Sequence, residues 1–217
     1  SVSFETNIGH DYYEDSDERY EFYHRTEERI PFDIDIFNTI TKNGLPKKSL
    51  TVYLGGTGSG KSLVMCHQAA AALQKGYNVL YITMELAEER VSERIDANIL
   101  DVTLDNLKLM SKDVYTRRLK EKQSKTTGKL IIKEYPTGSA HAGHFRNLLN
   151  ELRLKKRFVP DIIFVDYLNI CASSRIRGDG SNSYALVKSI AEEIRGIAME
   201  FSVPIVSCTQ LNRDGFN

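Results

Sequence analysis

Residues 55–62, GGTGSGKS, constrain this chain more than any other stretch. They match G-x-x-x-x-G-K-[ST] in full. The apolar run SLTVYLGG precedes and includes the first glycines, and SLVMCHQAAAALQKG follows with apolar residues at helical spacing; a strand-to-helix junction is the context in which this motif forms a phosphate-binding loop. Gly55, Gly56, Gly58 and Gly60, with Thr57 and Ser59 between them, let successive backbone N–H groups turn inward around phosphates, and the helix N-terminus adds its dipole. Lys61 then sets a positive charge on the β and γ phosphates, and the Ser62 hydroxyl is placed to ligate Mg²⁺. A dinucleotide fingerprint in GTGSG fails on its spacing and on the Lys-Ser that follows.

The rest of the chain repeats the alternation. NVLYITM, KLIIKEY, PDIIFVDYLNI and VPIVSCTQ read as strands, HFRNLLNELRLKK and YALVKSIAEEIRGIAMEF as helices. Continuous apolar strands alternating with helices predict an α/β fold with a mostly parallel sheet covered on both faces, and such sheets bind ligands at the carboxyl ends of their strands. A chain of 217 residues, 41% hydrophobic, is long enough for one sizeable core plus an appendage. Its 29 basic and 29 acidic side chains cancel, which excludes a uniformly basic nucleic-acid coat while leaving room for a local basic strip. No apolar run approaches the roughly 18 residues of a membrane span, and the polar N-terminus is no secretory signal, so the chain reads as soluble. Cys66, Cys171 and Cys208 form no CxxC pair and lie in apolar stretches, as expected of buried thiols in a reducing compartment.

A magnesium site next to the loop needs a carboxylate from another strand. DIIFVD supplies Asp166 behind four apolar residues, the Walker B pattern; Asp161, ahead of the run, reads as a turn residue. YITMELAEER ends a strand on Glu85. A carboxylate there is either a helix cap or a group able to orient and deprotonate the water that attacks the γ-phosphate. The crossover connection brings it to the same sheet edge, with its strand expected beside that of the phosphate loop. Glu88 and Glu89 read as solvated first-turn acids. VPIVSCTQLNR leaves Gln210 at the end of a further strand, where an amide can hydrogen-bond the γ-phosphate and register its loss.

GGTGSGKS, YITMELAEER, IIFVDYLNI and VPIVSCTQLNR occur in the order and register of the DnaB-type hexameric replicative helicases, and the chain resembles that family, most nearly its members from T-even-like phages, through GHDYYED, RIDANILDVTLDNL and YPTGSAHAGHFRNLLNELRLKKRFVPDIIFVDYLNIC. The resemblance runs over essentially the whole chain. It implies a RecA-like fold and an ATP- or GTP-driven motor on single-stranded DNA, with Lys61, Ser62, Glu85, Asp166 and Gln210 at the matching motif positions. It further implies a homo-hexamer, primase and a helicase loader as partners, and a phage protein working in the host cytoplasm. In the family the loop after the Walker B strand lines the central channel; here ASSRIRGDGSNSY carries Arg175 and Arg177, with Lys188, Asn212 and Arg213 as weaker DNA-binding candidates. The family's N-terminal primase-recruiting domain is not in the sequence, and LNRDGFN stops short of the region expected to carry a second DNA loop and an arginine finger. A fragment of a longer protein is therefore expected, with residues 31–217 a RecA-like ATPase domain truncated at its C-terminus.

Residues 1–30 hold nine Asp or Glu against Arg19, Arg25 and Arg29, with Tyr12, Tyr13, Tyr20, Phe22 and Tyr23 among them. They read as an acidic amphipathic helix with an aromatic side, closed by Pro31. It either folds back on its own domain or, as the resemblance to the family's linker helix implies, docks on a neighbouring subunit. His141 and His144 in HAGH read as a helix entry, and the Lys/Arg-rich stretch 108–129 as a solvated helix and loop. Two other classes stay open: a RecA-type recombinase, which does not unwind a forked duplex directionally, and a nucleotide-gated assembly module, whose hydrolysis is indifferent to DNA and to Arg175 and Arg177.

Overall fold

The computed structural model describes the backbone of residues 11–175 and 183–210, so Arg177, Asn212 and Arg213 lie outside the described residues. In chain order the elements are α1 (Ser16–His24), β1 (Arg29–Ile30), α2 (Asp35–Thr41), β2 (Leu45–Pro46), β3 (Leu50–Gly55), α3 (Lys61–Gln74), β4 (Val79–Thr83), α4 (Glu88–Leu100), α5 (Leu104–Leu109), α6 (Lys112–Gln123), β5 (Leu130–Glu134), α7 (Ala142–Lys156), β6 (Ile162–Asp166), a 3₁₀ turn (Leu168–Ile170), α8 (Ser183–Glu200) and β7 (Ile205–Gln210). Strands β3, β7, β6, β4 and β5 hydrogen-bond in that order, all parallel, and β1 and β2 form a short antiparallel pair apart from them.

The two-residue period of the strands sorts the core into two layers. Leu80, Ile82, Ile163, Val165 and Ile205 face Phe145, Leu149 and Leu152 of α7 and Ile190, Ile194 and Ile197 of α8. Val79, Tyr81, Ile162, Phe164, Val206 and Cys208 face Met65, Ala69 and Ala72 of α3 and Val91, Ile95 and Ile99 of α4. The small residues of α3 bring that helix close to the sheet, and Tyr81 stacks on Phe164 beneath it with ring centroids 5.8 Å apart. Burial on both faces explains why β4 and β6 read as unbroken apolar runs.

One expectation of neighbourhood fails. β4 is not beside β3: β7 and β6 stand between them. α3 is long enough to carry the chain over two strand positions, and the slots it leaves are filled by strands that come later in sequence. Periodicity identifies strands but not their order, so nothing in the local pattern marks the gap.

The N-terminal segment also differs. Its helix, α1, ends at His24 rather than at Pro31, and Arg29–Ile30 is already strand, paired to Leu45–Pro46. The aromatic residues are not gathered on one side: at helical spacing Phe22 falls opposite Tyr20, and Tyr20, Phe22 and Tyr23 are all exposed, at 60%, 72% and 70%. Nothing in α1 is buried against the rest of the chain. Among the described residues no helix is long and apolar enough to cross a membrane, and Cys66, Cys171 and Cys208 are free, buried thiols.

Candidate nucleotide site

The loop after β3 is shaped by two glycines with positive φ, Gly58 (74°) and Gly60 (85°), a region open to glycine at little cost. A Cβ on either would meet nothing within 4 Å, so the inner wall of the loop faces open space. Gly60 is the N-cap of α3, which points its first N–H groups into that space. The Lys61 ammonium lies across the loop, donating to the carbonyls of Gly55 at 2.9 Å and Gly56 at 2.6 Å. A cradle of N–H groups with an ammonium at its mouth binds anionic oxygens.

The sheet order puts four strand ends in a row along this edge: the loop from β3, Gln210 from β7, Asp166 from β6 and the segment after β4 that carries Glu85. Three of them, all but Asp166, open on a cavity of about 270 Å³ lined by Thr57–Leu63, Glu85, Arg94, Tyr167, Cys208 and Gln210. The Ser62 hydroxyl donates to Asp166 Oδ1 at 3.2 Å. Hydroxyl and carboxylate oxygens side by side are the hard donors that Mg²⁺ selects, so these residues fit the cation. Asp166 is fully buried, and Tyr81 donates its phenol to Oδ2 at 3.1 Å while the Cys208 thiol lies 3.3 Å from Oδ1. Burial, and next the Asp166 charge, push both Tyr81 and Cys208 above their ordinary pKa, which keeps them protonated and donating.

Glu85 is exposed at the rim, two residues past the end of β4. Its preceding residue is clamped from two sides: Met84 N–H donates to the Asp166 carbonyl at 3.0 Å, and Thr137 Oγ1 donates to the Met84 carbonyl at 2.7 Å. The Thr83 hydroxyl closes the turn, donating to the Leu86 carbonyl at 2.8 Å. The cap reading of Glu85 falls, because the N-cap of α4 is Ala87, with no side-chain cap bond. Burial, and then the Glu85 charge, raise the pKa of the Tyr167 phenol on the same wall. Glu88 is less solvated than expected: it and Glu134 each accept the other's backbone N–H, at 2.8 and 3.2 Å, pinning the start of α4 to the end of β5.

Gln210 Nε2 donates to the Thr57 hydroxyl, bridging the end of β7 to the phosphate loop. Arg94, Tyr167 and Cys208 also line the cavity, and sequence reading passed over them. The one available signal was Arg94, a basic side chain flanking the apolar stripe Val91–Ile95–Ile99 of the helix behind Glu85. Leu63 and Arg94 continue into an adjoining groove with Asn98, Asp101, Thr103 and Leu104. A larger concavity of about 610 Å³, between α3, α6 and the start of β5, holds none of the candidate site residues and is lined in part by Lys122 and Lys129 of the Lys/Arg-rich stretch.

Of the residues expected to meet DNA, the two that are described, Arg175 and Lys188, do not line that cavity. Arg175 is held on α8, donating to Glu192 Oε2 at 2.9 Å and to the Ser189 carbonyl at 3.1 Å, with Glu193 Oε1 3.4 Å away. Lys188 is exposed on the same helix. His141 caps α7, its ring accepting from Gly143 N–H at 3.0 Å while the His144 ring accepts from His141 N–H at 3.2 Å, so the pair is a helix entry. Asp161 accepts the Asn78 N–H at 2.7 Å, tying together the starts of the neighbouring strands β6 and β4.

Residues 30–215 match the family model described as the DnaB-like helicase C terminal domain. Over its whole length the chain is 46% identical to a DnaB-like replicative helicase of Enterobacteria phage T4, covering 46% of that protein. A probable replicative DNA helicase of Trieres chinensis is 26% identical over 79% of this chain and 37% of its own. The chain thus spans less than half the length of these relatives. Among solved structures, a DnaB-like replicative helicase described with its primase interactions aligns with a TM-score of 0.70 at 16% identity, over 94% of this chain and 50% of that one. A second solved structure, described as an ATPase domain, aligns with a TM-score of 0.67 at 15% identity, over 91% of this chain and 70% of that one. Those two likenesses establish the RecA-like fold.

Proposed function

The chain belongs to the DnaB-like helicase C-terminal domain family, and on that premise we propose that it is the motor domain of a replicative DNA helicase, hydrolysing ATP or GTP to translocate on single-stranded DNA and unwind duplex at a fork. The observation that carries this reading is the gathering of four strand ends along one sheet edge, where Lys61, Ser62, Glu85 and Gln210 line one cavity and buried Asp166 stands behind it, bonded to Ser62.

In this reading Gly55, Gly56, Thr57, Gly58, Ser59 and Gly60 wrap the phosphates, and Lys61 exchanges its two loop carbonyls for β and γ oxygens. Ser62 and Asp166 would hold Mg²⁺, which offsets phosphate charge when bound. Glu85 takes the proton of the attacking water as general base. Gln210 bonds the γ-phosphate in place of Thr57 and is released on hydrolysis. Leu63 and Arg94 lead the nucleoside into the groove beside α4. Arg175, Arg177, Lys188, Asn212 and Arg213 track DNA phosphates, and for Arg175 the phosphate competes with Glu192 and Glu193. Residues 1–30 form the linker that docks on the next subunit of a homo-hexamer and residues 31–217 the motor; primase and a loader are the further partners, in the cytoplasm of a phage host.

The test is steady-state nucleotide hydrolysis by the full-length protein with and without single-stranded DNA. Hydrolysis several-fold faster with DNA is expected; a rate indifferent to DNA overturns the helicase reading in favour of an assembly module.

A further inference from the structure

The backbone ladder between β6 and β7 stops early. Its last paired residues are Val165 and Ser207, whereas β7 continues to Gln210 with only β3 beside it, pairing Leu54 with Thr209 and Gly55 with Gln210. Among the described residues, the final residues of β7, those that carry Gln210 to the phosphate loop, therefore have no strand on their β6 side. One side chain stands in for it. Asn169, in the 3₁₀ turn three residues beyond Asp166, directs its side-chain carbonyl oxygen at this edge and accepts twice, from Thr209 Oγ1 at 2.6 Å and from Gln210 N–H at 3.3 Å. An amide oxygen has two lone pairs and no charge, so it satisfies both donors without setting a carboxylate beside a phosphate site.

The other side of the turn matters as much. Three residues after Asn169, Ala172 N–H donates to the Ala140 carbonyl at 2.7 Å, and Ser173, Ser174 and Arg175 are then tied to Glu193. Asn169 thus joins the end of β7 to the turn that leads into the stem of the segment bearing Arg175.

We propose that Asn169 is a positioning residue, holding Gln210 in register against the phosphate loop and coupling it to the segment that leads to Arg175. This rests on the motor reading above. Orientation of Gln210 affects the chemical step more than nucleotide capture, which belongs to the loop and Lys61.

The experiment is DNA-stimulated hydrolysis by the full-length protein carrying Asn169→Leu, Asn169→Asp, Thr209→Val, Gln210→Ala, and Asn169→Leu with Gln210→Ala. Asn169→Leu keeps the size and removes the acceptor. It is expected to lower kcat by about tenfold and shrink the stimulation by DNA, with KM for nucleotide changed by no more than about twofold. Asn169→Asp, which restores the acceptor, recovers part of kcat, and Thr209→Val, which removes only the hydroxyl bond, loses less than Asn169→Leu. Because Asn169 acts through Gln210, Asn169→Leu costs nothing further in the Gln210→Ala background. Additive losses in the double variant, or an unchanged kcat and DNA response in Asn169→Leu, overturn the proposal. If Asn169→Leu fails to fold, Thr209→Val decides it, since an unchanged kcat there removes the coupling. A wild-type protein indifferent to DNA defeats the motor reading itself, and a stimulated wild type with an equally stimulated Asn169→Leu defeats only the role of Asn169.

Discussion

Glu85 illustrates how an exposed side chain can still be placed with precision. Its carboxylate sits at the rim of the cavity, but the backbone just before it is fixed by bonds from Met84 to Asp166 and from Thr137 to Met84, at 3.0 and 2.7 Å. The rigidity comes from the chain, leaving the side chain free to meet a water. Asp166 is the converse case, a buried carboxylate whose oxygens are occupied by Ser62, Tyr81 and Cys208. The two acids at neighbouring strand ends are therefore held differently: Asp166 by three side chains, Glu85 through the backbone that precedes it. Replacing Glu85 by Gln keeps the shape and removes the basicity. The expected outcome is a kcat lower by at least about 100-fold with nucleotide affinity nearly unchanged, since general-base catalysis contributes roughly 10²–10⁴. Paired measurements of single-turnover hydrolysis and of equilibrium nucleotide binding check it; turnover left intact in the variant removes Glu85 from the chemistry.

Besides the bonds of Arg175 to Glu192 and Ser189, the Glu193 carboxylate secures α8 to the segment behind β6. Glu193 accepts from Ser173 Oγ at 2.5 Å and from Ser174 N–H and Oγ at 3.0 and 2.7 Å, and its side chain is only 9% exposed. Burial alone would raise its pKa, but the bonds from Ser173, Ser174 and Arg175 outweigh it and bring it from 4.5 down to about 2. Between those values the unfolded chain binds the proton and the folded one does not. The stabilisation is complete above about 4.5, fades as pH falls and is gone below about 2. Glu193→Gln is expected to lower the urea midpoint at pH 7 and to flatten its decline between about pH 5 and 3; an acid limb as steep as that of the wild type removes Glu193 as its source. This latch was illegible in the sequence, where Arg175 read as a free basic group, because a contact between a loop arginine and acids 17 and 18 residues away depends on how α8 lies. What was legible is local: the phosphate loop between a strand and a helix, the acid closing DIIFVD, and the two-sided apolar strands, all written within a few neighbouring residues. The order of the strands was not, since β7 and β6 enter between β3 and β4 only after the chain has travelled past β5. The aromatic side expected of the N-terminal helix failed for a local reason that the sequence did contain, as it required Tyr20 and Phe22 to share a face that helical spacing denies them.

The 29 basic and 29 acidic side chains balance over the whole chain, yet the acids are concentrated ahead of β1, where α1 stands clear of the core with three exposed aromatic rings. A helix whose rings surround it rather than forming one stripe is not stabilised by its own domain, and a partner that covers more than one of its sides suits it better than a flat surface. Aromatic side chains bury roughly 150–250 Å² each, so covering three of them at a junction of the proposed ring supplies roughly 10–20 kcal/mol per subunit at ~25 cal/mol per Å², as an upper bound before ordering costs. The nucleotide cavity takes none of its described lining from α1: its walls are the loop after β3, Glu85, Arg94, Tyr167, Cys208 and Gln210. Assembly and nucleotide capture should therefore separate. In the full-length protein the triple change Tyr20→Ser, Phe22→Ser and Tyr23→Ser is expected to move the sedimenting species from hexamer toward smaller forms. Nucleotide affinity of the dissociated subunit stays within about threefold of the wild type, a difference of less than about 1 kcal/mol. Sedimentation velocity alongside nucleotide titration reads both quantities on the same sample. Rings that persist unchanged exclude α1 as the docking element, and a parallel loss of nucleotide binding in the dissociated subunit shows that the cavity needs a neighbour to form.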